Sequence, residues 1–318
     1  MKRLIGILLL ISCQTASAQP GDASGFSLLR LEPSARIASL AGAAVALGQG
    51  DPSTPFLNPA LLGTSSHRMF STSYLNHLSD INAGFVSYIA DVGKIGTMMG
   101  GLRYLSYGSF VRADENGFQD GSTFGAYETA LTIGLGRKYG ERLNYGASFH
   151  TLFSGIDGAS SGAVALDVGV YYYVDKSQLG LSASLNNFGW VYNTVGEQSD
   201  DLPTDIRVGA AKQMSHLPLL ITVMGYNLND FSGTGDSFGN EVLKHIALGG
   251  EFQLGTAVRF RIGYNHQRHS DLKTDSRLDL AGVGLGFGIN VTRFRFDYAY
   301  NDWSALGGLH HLTVQTRL

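Results

Sequence analysis

The sequence predicts an all-β protein, a transmembrane antiparallel β-barrel of about fourteen strands with an N-terminal plug segment. Three observations predict it. The chain is 44% hydrophobic but only 15% charged, against about 25% charged in ordinary soluble domains. Beyond residue 11, however, no apolar run approaches the ~20 residues of a helical span. The hydrophobicity is instead spread by alternation along period-two segments, and the connections between those segments alternate between short and long.

The first eighteen residues read as a signal peptide. Lys2 and Arg3 precede the apolar stretch Leu4 to Ile11, and Ala16-Ser17-Ala18 supplies a cleavage site that leaves Gln19 first. Leu10-Ile11-Ser12-Cys13 also fits a lipoprotein box, in which Cys13 is acylated. A closed barrel satisfies its own backbone and needs no lipid anchor, which favours simple cleavage. The mature chain then has no cysteine, and disulfides, thiolate metal sites and cysteine catalysis are excluded.

Residues 19–63 form the expected plug. Ser34 to Leu47 is small and apolar, which predicts a helix that Gly48 to Asp51 would stop. Asp51 to Ala60 then carries three of the seven prolines. Proline removes a ladder donor, so this stretch is irregular, and Asn58-Pro59-Ala60 reads as a turn.

Residues 64–318 form the expected barrel. Val164, Leu166, Val168, Val170 and Tyr172 alternate with small or polar residues. Val258 to Tyr264, Phe294 to Tyr300 and Leu312 to Leu318 repeat the pattern. Strands are expected near residues 66, 82, 94, 122, 142, 160, 178, 204, 217, 241, 257, 277, 292 and 308. Short turns at 91–94, 139–141, 175–177, 255–256 and 291–292 alternate with longer connections at 108–121, 154–161, 187–202, 230–241 and 266–276. That parity suits tight periplasmic turns and longer outside loops.

Few residues suggest chemistry. Gly282, Gly284, Gly286 and Gly288 are spaced strictly by two. They predict a strand with a smooth inner face rather than a nucleotide loop, with the plug as neighbour. His310 and His311 point to opposite strand faces and cannot chelate together. His266 and His269 lack a visible third ligand. Asp114 to Asp120 lacks calcium-loop spacing. No serine–histidine–carboxylate set or paired acid stands out, so no enzyme activity, cofactor or metal is expected. The net charge of −3 has no basic block, which argues against nucleic acid as a partner.

Two groups remain as candidates. Arg259, Arg261, Arg293 and Arg295 are read as the inward phase of two neighbouring strands, facing Glu251, Asp279 and Asp297. They form a charge ladder in the lumen or a lock on the plug. Phe110, Arg112, Asp114, Glu115 and Phe118 mark the 108–121 loop as a candidate docking surface, because interface cores favour aromatics and arginine.

Several stretches resemble the PorV/PorQ family, which is related to fatty-acid-transporter-like barrels. They are Pro33-Ser34-Ala35-Arg36, the region of Gly42, and Asn58-Pro59-Ala60-Leu61-Leu62. Asp80 to Tyr88, Tyr107 to Gly117 and Phe124 to Tyr127 look most like its PorQ branch. The resemblance implies a fourteen-stranded, plugged barrel in the Bacteroidota outer membrane, among lipid and lipopolysaccharide. It further implies a non-enzymatic role in the type IX secretion attachment complex, anchoring a PorZ-like surface protein near PorU/PorV-like members. Two alternatives stand beside it: a channel for hydrophobic small molecules, and a PorV-like shuttle for cargo signal domains. Leu61-Leu62-Gly63 departs from the glycine-first form of the transporters, which weakens transfer of a fatty-acid gate.

Overall fold

A computed structural model describes residues 26–48, 50–114, 117–194, 201–231, 238–274, 280–304 and 307–318. The expected signal peptide, with Cys13, lies outside the described residues, as do residues 19–25 of the expected plug. From Met69 the chain forms fourteen antiparallel strands closed into one barrel. In order they are β1 Met69–Asn76, β2 Asn82–Asp91, β3 Thr97–Ala113, β4 Gln119–Tyr139 and β5 Leu143–Ile156. Then come β6 Ala159–Val174, β7 Leu179–Asn193, β8 Asp205–Gln213, β9 Leu219–Gly225 and β10 Ile246–Leu254. The last four are β11 Val258–Asn265, β12 Val283–Val291, β13 Phe294–Asp302 and β14 Gly308–Arg317, and β14 pairs back onto β1.

Period two decides which way each side chain points. On β12, Leu285, Phe287 and Ile289 are exposed, as are Phe260 and Ile262 on β11 and Val168 and Val170 on β6. These are the lipid-facing positions. No described helix is long and apolar enough to cross a membrane. Closure of the barrel pairs every strand edge. Both ends of the strand series, Met69 and Arg317, lie at the end with the short turns. That end faces the periplasm in barrels of this kind.

Four sequence expectations need correction. The expected helix from Ser34 shrinks to α1, Ala35–Ser39. Ala41 and Gly42 adopt positive φ (52° and 87°) and end it well before Gly48. The stretch 108–121 is largely strand, because β3 runs to Ala113 and β4 begins at Gln119. Gly108 and Gly121 take positive φ (79° and 82°), and the β3–β4 register shifts between Ser106 and Ser109. These glycines bend a ladder rather than end it. The expected 154–161 connection is a tight turn at Asp157-Gly158, both at positive φ (48° and 81°), as a two-residue hairpin requires. Finally, β10 and β12 start later than expected. Two short helices, α2 (Phe238–Lys244) and α3 (His266–Leu272), occupy the preceding connections.

The described residues of 26–66 fold inside the barrel. Single 3-10 turns at Ser27–Arg30, Thr54–Phe56, Pro59–Leu61 and Thr64–Ser66 flank or follow α1. Pro55 and Pro59 sit in first-turn positions, where a missing N–H costs nothing. Leu28, Ile37, Leu40, Leu61 and Leu62 are almost fully buried. Leu28 packs with Phe85, Leu105 and Leu152 of the wall, and Leu62 with Phe56, Ile89 and Met99.

Candidate functional site

The inner segment is fastened to the wall around most of its circumference. Ser34 caps α1, its Oγ accepting from the Ile37 amide at 3.4 Å. The Ala35 amide donates to Thr313 Oγ1 at 2.8 Å. Ser87 donates to the Pro52 carbonyl at 2.8 Å, Ser182 to that of Val45 at 2.8 Å, and Asn186 to that of Leu57 at 2.9 Å. Asn58 accepts from the Ala60 amide at 2.9 Å and donates to the Val170 carbonyl at 3.3 Å, which fixes the Asn58-Pro59-Ala60 turn against β6. Irregular backbone enclosed in a barrel must find such partners, or each orphaned group costs ~1–3 kcal/mol.

Glycines let the two surfaces meet. A Cβ on Gly146 would strike the Pro59 carbonyl, and one on Gly263 would strike the backbone of Leu40 and Ala41. At Gly284 it would lie 2.7 Å from the Ala38 carbonyl oxygen, and at Gly286 2.5 Å from Ser39 Cβ. Gly284 and Gly286 of β12 therefore abut α1, whereas Gly288 faces Asp297 and Arg261, and Gly282, just outside the strand at φ 80°, lies beside Asn265 and His269.

The candidate arginines separate. Their strands β11 and β13 are not neighbours, since β12 runs between them. Gly288 of β12 carries no side chain, so Arg261 reaches across it to Asp297 at 2.8 Å. Arg261 also binds Glu251 at 2.6 Å, and Arg295 binds Asp297 at 2.8 Å. Arg259 stands 3.8 Å from Glu251. Arg293 is exposed at the turn, over the Phe294 ring, and joins none of these pairs. Asp279 lies outside the described residues. Arg36 enters the same cluster from the inner segment. It grips Glu251 through two hydrogen bonds (2.8 and 3.0 Å) and Asp51 at 3.2 Å.

A second polar ladder was not anticipated from the sequence. Arg103, Thr132, His150 and Asp167 occupy inward positions of β3, β4, β5 and β6. His150 Nε2 lies 2.7 Å from Asp167 Oδ2, and its Nδ1 lies 2.8 Å from Thr132 and 3.1 Å from Arg103. A hydroxyl, an imidazole and a carboxylate in line resemble a nucleophilic triad. Thr132 is only 2% exposed, however. The ladder instead holds the wall. Asp167 Oδ1 accepts the amide of Asn187 at 2.7 Å, where β7 bulges with φ 58°. The readable signal was polar residues in the inward phase of four consecutive strands.

That bulge borders a cavity of about 190 Å³ on the outer side of the inner segment. Leu29, Leu31, Ile37, Leu57 and Met224 give it apolar walls, and Gly42 lies in its lining. Asn187, Asp205, Arg207, Tyr226 and Arg268 supply the polar side. Arg207 pairs with Asp205 at 2.5 Å and Arg268 with Glu32, so both arginines hold partners. No group of three or more potential metal ligands occurs among the described residues.

The candidate docking residues lie on the raised β3–β4 hairpin. β3 has 17 residues and β4 has 21, against 8 in β1 and 7 in β9. About 9–11 residues suffice to cross the bilayer, so the hairpin stands above it. Phe110 stacks on Phe124 at 5.4 Å, and Arg112 covers Phe124 at 5.7 Å while pairing with Asp157. Asp114 accepts from the Phe118 amide at 2.8 Å, which closes the tip, and Phe118 is 71% exposed. Glu115 lies outside the described residues.

No family model and no curated protein matches the sequence. Solved structures do match. The toluene transporter TbuX of Ralstonia pickettii aligns over 92% of this chain and 100% of its own, with TM-score 0.59 and 11% identity. The toluene transporter TodX of Pseudomonas putida aligns over 90% and 96%, with TM-score 0.53 and 12% identity. A FadL homologue of Pseudomonas aeruginosa aligns over 89% and 98%, with TM-score 0.52 and 11% identity. The chain shares the fold of FadL-type outer-membrane barrels. Together with the lipid-facing strands, that places it in the outer membrane.

Proposed function

We propose that this barrel binds a small hydrophobic molecule in its outward cavity and belongs functionally with channels for such compounds. The observation that carries the reading is the cavity itself. A dry apolar cavity of about 150 Å³ accommodates benzene, so the 190 Å³ here matches a ligand the size of one aromatic ring. The toluene transporters among the matched structures support the same class of ligand. On this reading residues 26–66 act as the plug, and the bonds described above keep it closed at rest. The role is non-enzymatic. The test is equilibrium binding of toluene to purified protein in detergent, compared with Met224→Trp, which fills the cavity. Saturable binding lost in the variant supports the reading, and equal uptake by both defeats it.

A second reading has its own observation. The raised hairpin, with its stacked Phe110–Phe124 pair and exposed Phe118, suits a docking surface. The PorV/PorQ resemblance would make it an anchor in a type IX attachment complex, holding a PorZ-like partner near PorU/PorV-like members. The solved structures speak for the channel rather than for this assembly. Partners recovered from solubilised outer membrane test it: an associated surface protein supports the anchor, and an isolated barrel opposes it. Cargo signal domains among those partners would favour the shuttle.

A further inference from the structure

Among the described residues the ion cluster is not electrically balanced. Arg36, Arg259, Arg261, Arg293, Arg295 and Arg317 gather toward the short-turn end of the lumen. The carboxylates that meet them are Asp51, Glu251 and Asp297. Glu251 is already shared by Arg36 and Arg261, and Asp297 by Arg261 and Arg295. Among the described residues Arg259 receives only the 3.8 Å contact to Glu251, and its Nη1 is buried with no hydrogen-bond partner there. Arg317 donates one nitrogen to the Ser65 carbonyl at 2.6 Å.

These surplus arginines line one space. A cavity of about 300 Å³ opens at this mouth, bounded by Arg259, Arg293, Arg295 and Arg317 with Asn290 and Thr292. Among the described residues no carboxylate lines it. Like charges held together at a partly dry mouth repel one another, and the repulsion is relieved when an anion lies between them. Guanidinium forks present paired N–H donors in the geometry that phosphate oxygens accept, and an amide and a hydroxyl add further donors.

We propose that this cavity is an anion site that holds a phosphate group at the periplasmic mouth of the barrel. The group could be supplied as free phosphate or by a phospholipid headgroup of the inner leaflet. Met69 and Phe294 in its lining supply an apolar margin beside the cationic one.

The test uses full-length protein in a non-ionic detergent. Inorganic phosphate is titrated calorimetrically, and retained lipid is measured by native mass spectrometry after reconstitution with and without phosphatidylglycerol. The double variant Arg259→Gln/Arg293→Gln is compared with the parent. Among the described residues neither hydrogen-bonds the inner segment, so heat-modifiable barrel migration should persist. If it does not, Arg293→Gln/Arg317→Gln replaces that variant. Saturable phosphate binding, weakened at least tenfold in the variant and by added salt, supports the site as one for the free ion. Retained phosphatidylglycerol that phosphate displaces, and that the variant fails to retain, supports the headgroup. No binding of either probe, or equal binding by parent and variant, overturns the proposal.

Discussion

Arg36 grips Glu251 across the boundary between the inner segment and the wall, Nε to Oε2 at 2.8 Å and Nη2 to Oε1 at 3.0 Å. A bidentate arginine–carboxylate pair fixes direction as well as distance. Removing one partner of a buried pair costs ~3–5 kcal/mol, because the other charge is stranded. Glu251→Gln leaves Arg36 with Asp51 alone and Arg261 with Asp297 alone. It should lower the thermal midpoint and expose residues 26–66 to protease while the strands stay intact. A double-mutant cycle with Arg36→Met should show clear coupling, and additive effects would remove the pair from the account.

The glycine contacts predict a sharp positional contrast. Gly263→Val drives a side chain into the backbone of Leu40 and Ala41, whereas a Cβ at Gly250 meets nothing closer than 3.8 Å. Overpacking costs ~1–3 kcal/mol. Gly263→Val should therefore loosen the inner segment, read as faster labelling of a cysteine placed at Ala41. Gly250→Ala should leave that rate unchanged.

Acid should release the segment only at very low pH. Burial raises the Asp51 carboxyl, but Arg36 and Arg295 outweigh it and hold the group below the ordinary carboxylate range. A depressed folded value contributes stability above the unfolded value, about 3.9. That contribution is lost as pH falls through the folded value. Protection of residues 26–66 should thus persist down to about pH 4 and fail below it. Asp51→Asn should flatten this dependence. An unchanged profile in the variant would show that other carboxylates control it.

The raised hairpin should tolerate change. An aromatic pair such as Phe110–Phe124 contributes ~0.5–1.5 kcal/mol, too little to decide whether a fourteen-stranded barrel closes. Replacing Phe110, Arg112 and Phe118 together should leave the barrel heat-modifiable. If the hairpin anchors a partner, that partner should appear in the medium. Retention at the parent level would eliminate the hairpin as the anchor.

Much of the wall was legible because period-two patterning is a local signal. Val164 to Tyr172 and Phe294 to Tyr300 declare their faces without reference to any neighbour. Gly108 and Gly121 misled because a glycine that bends a ladder reads like one that ends it, and only the cross-strand partner tells them apart. The arginines misled for a related reason. Phase along a strand is readable, but β12 comes between β11 and β13, and only the glycine at 288 lets Arg261 and Asp297 meet across it. The outer cavity joins residues 29–57 to residues 187–268, a juxtaposition that barrel closure creates and no window of sequence contains.

Conductance across a planar bilayer tests the closed, plugged barrel most directly. Eight-stranded barrels are filled by side chains, whereas 16–18-stranded ones leave an aqueous channel, so an emptied fourteen-stranded barrel should admit water. The intact protein is predicted to give little or no conductance, and deletion of residues 26–60 to give large, stable steps. Large steps from the intact protein, unchanged by the deletion, would contradict the account.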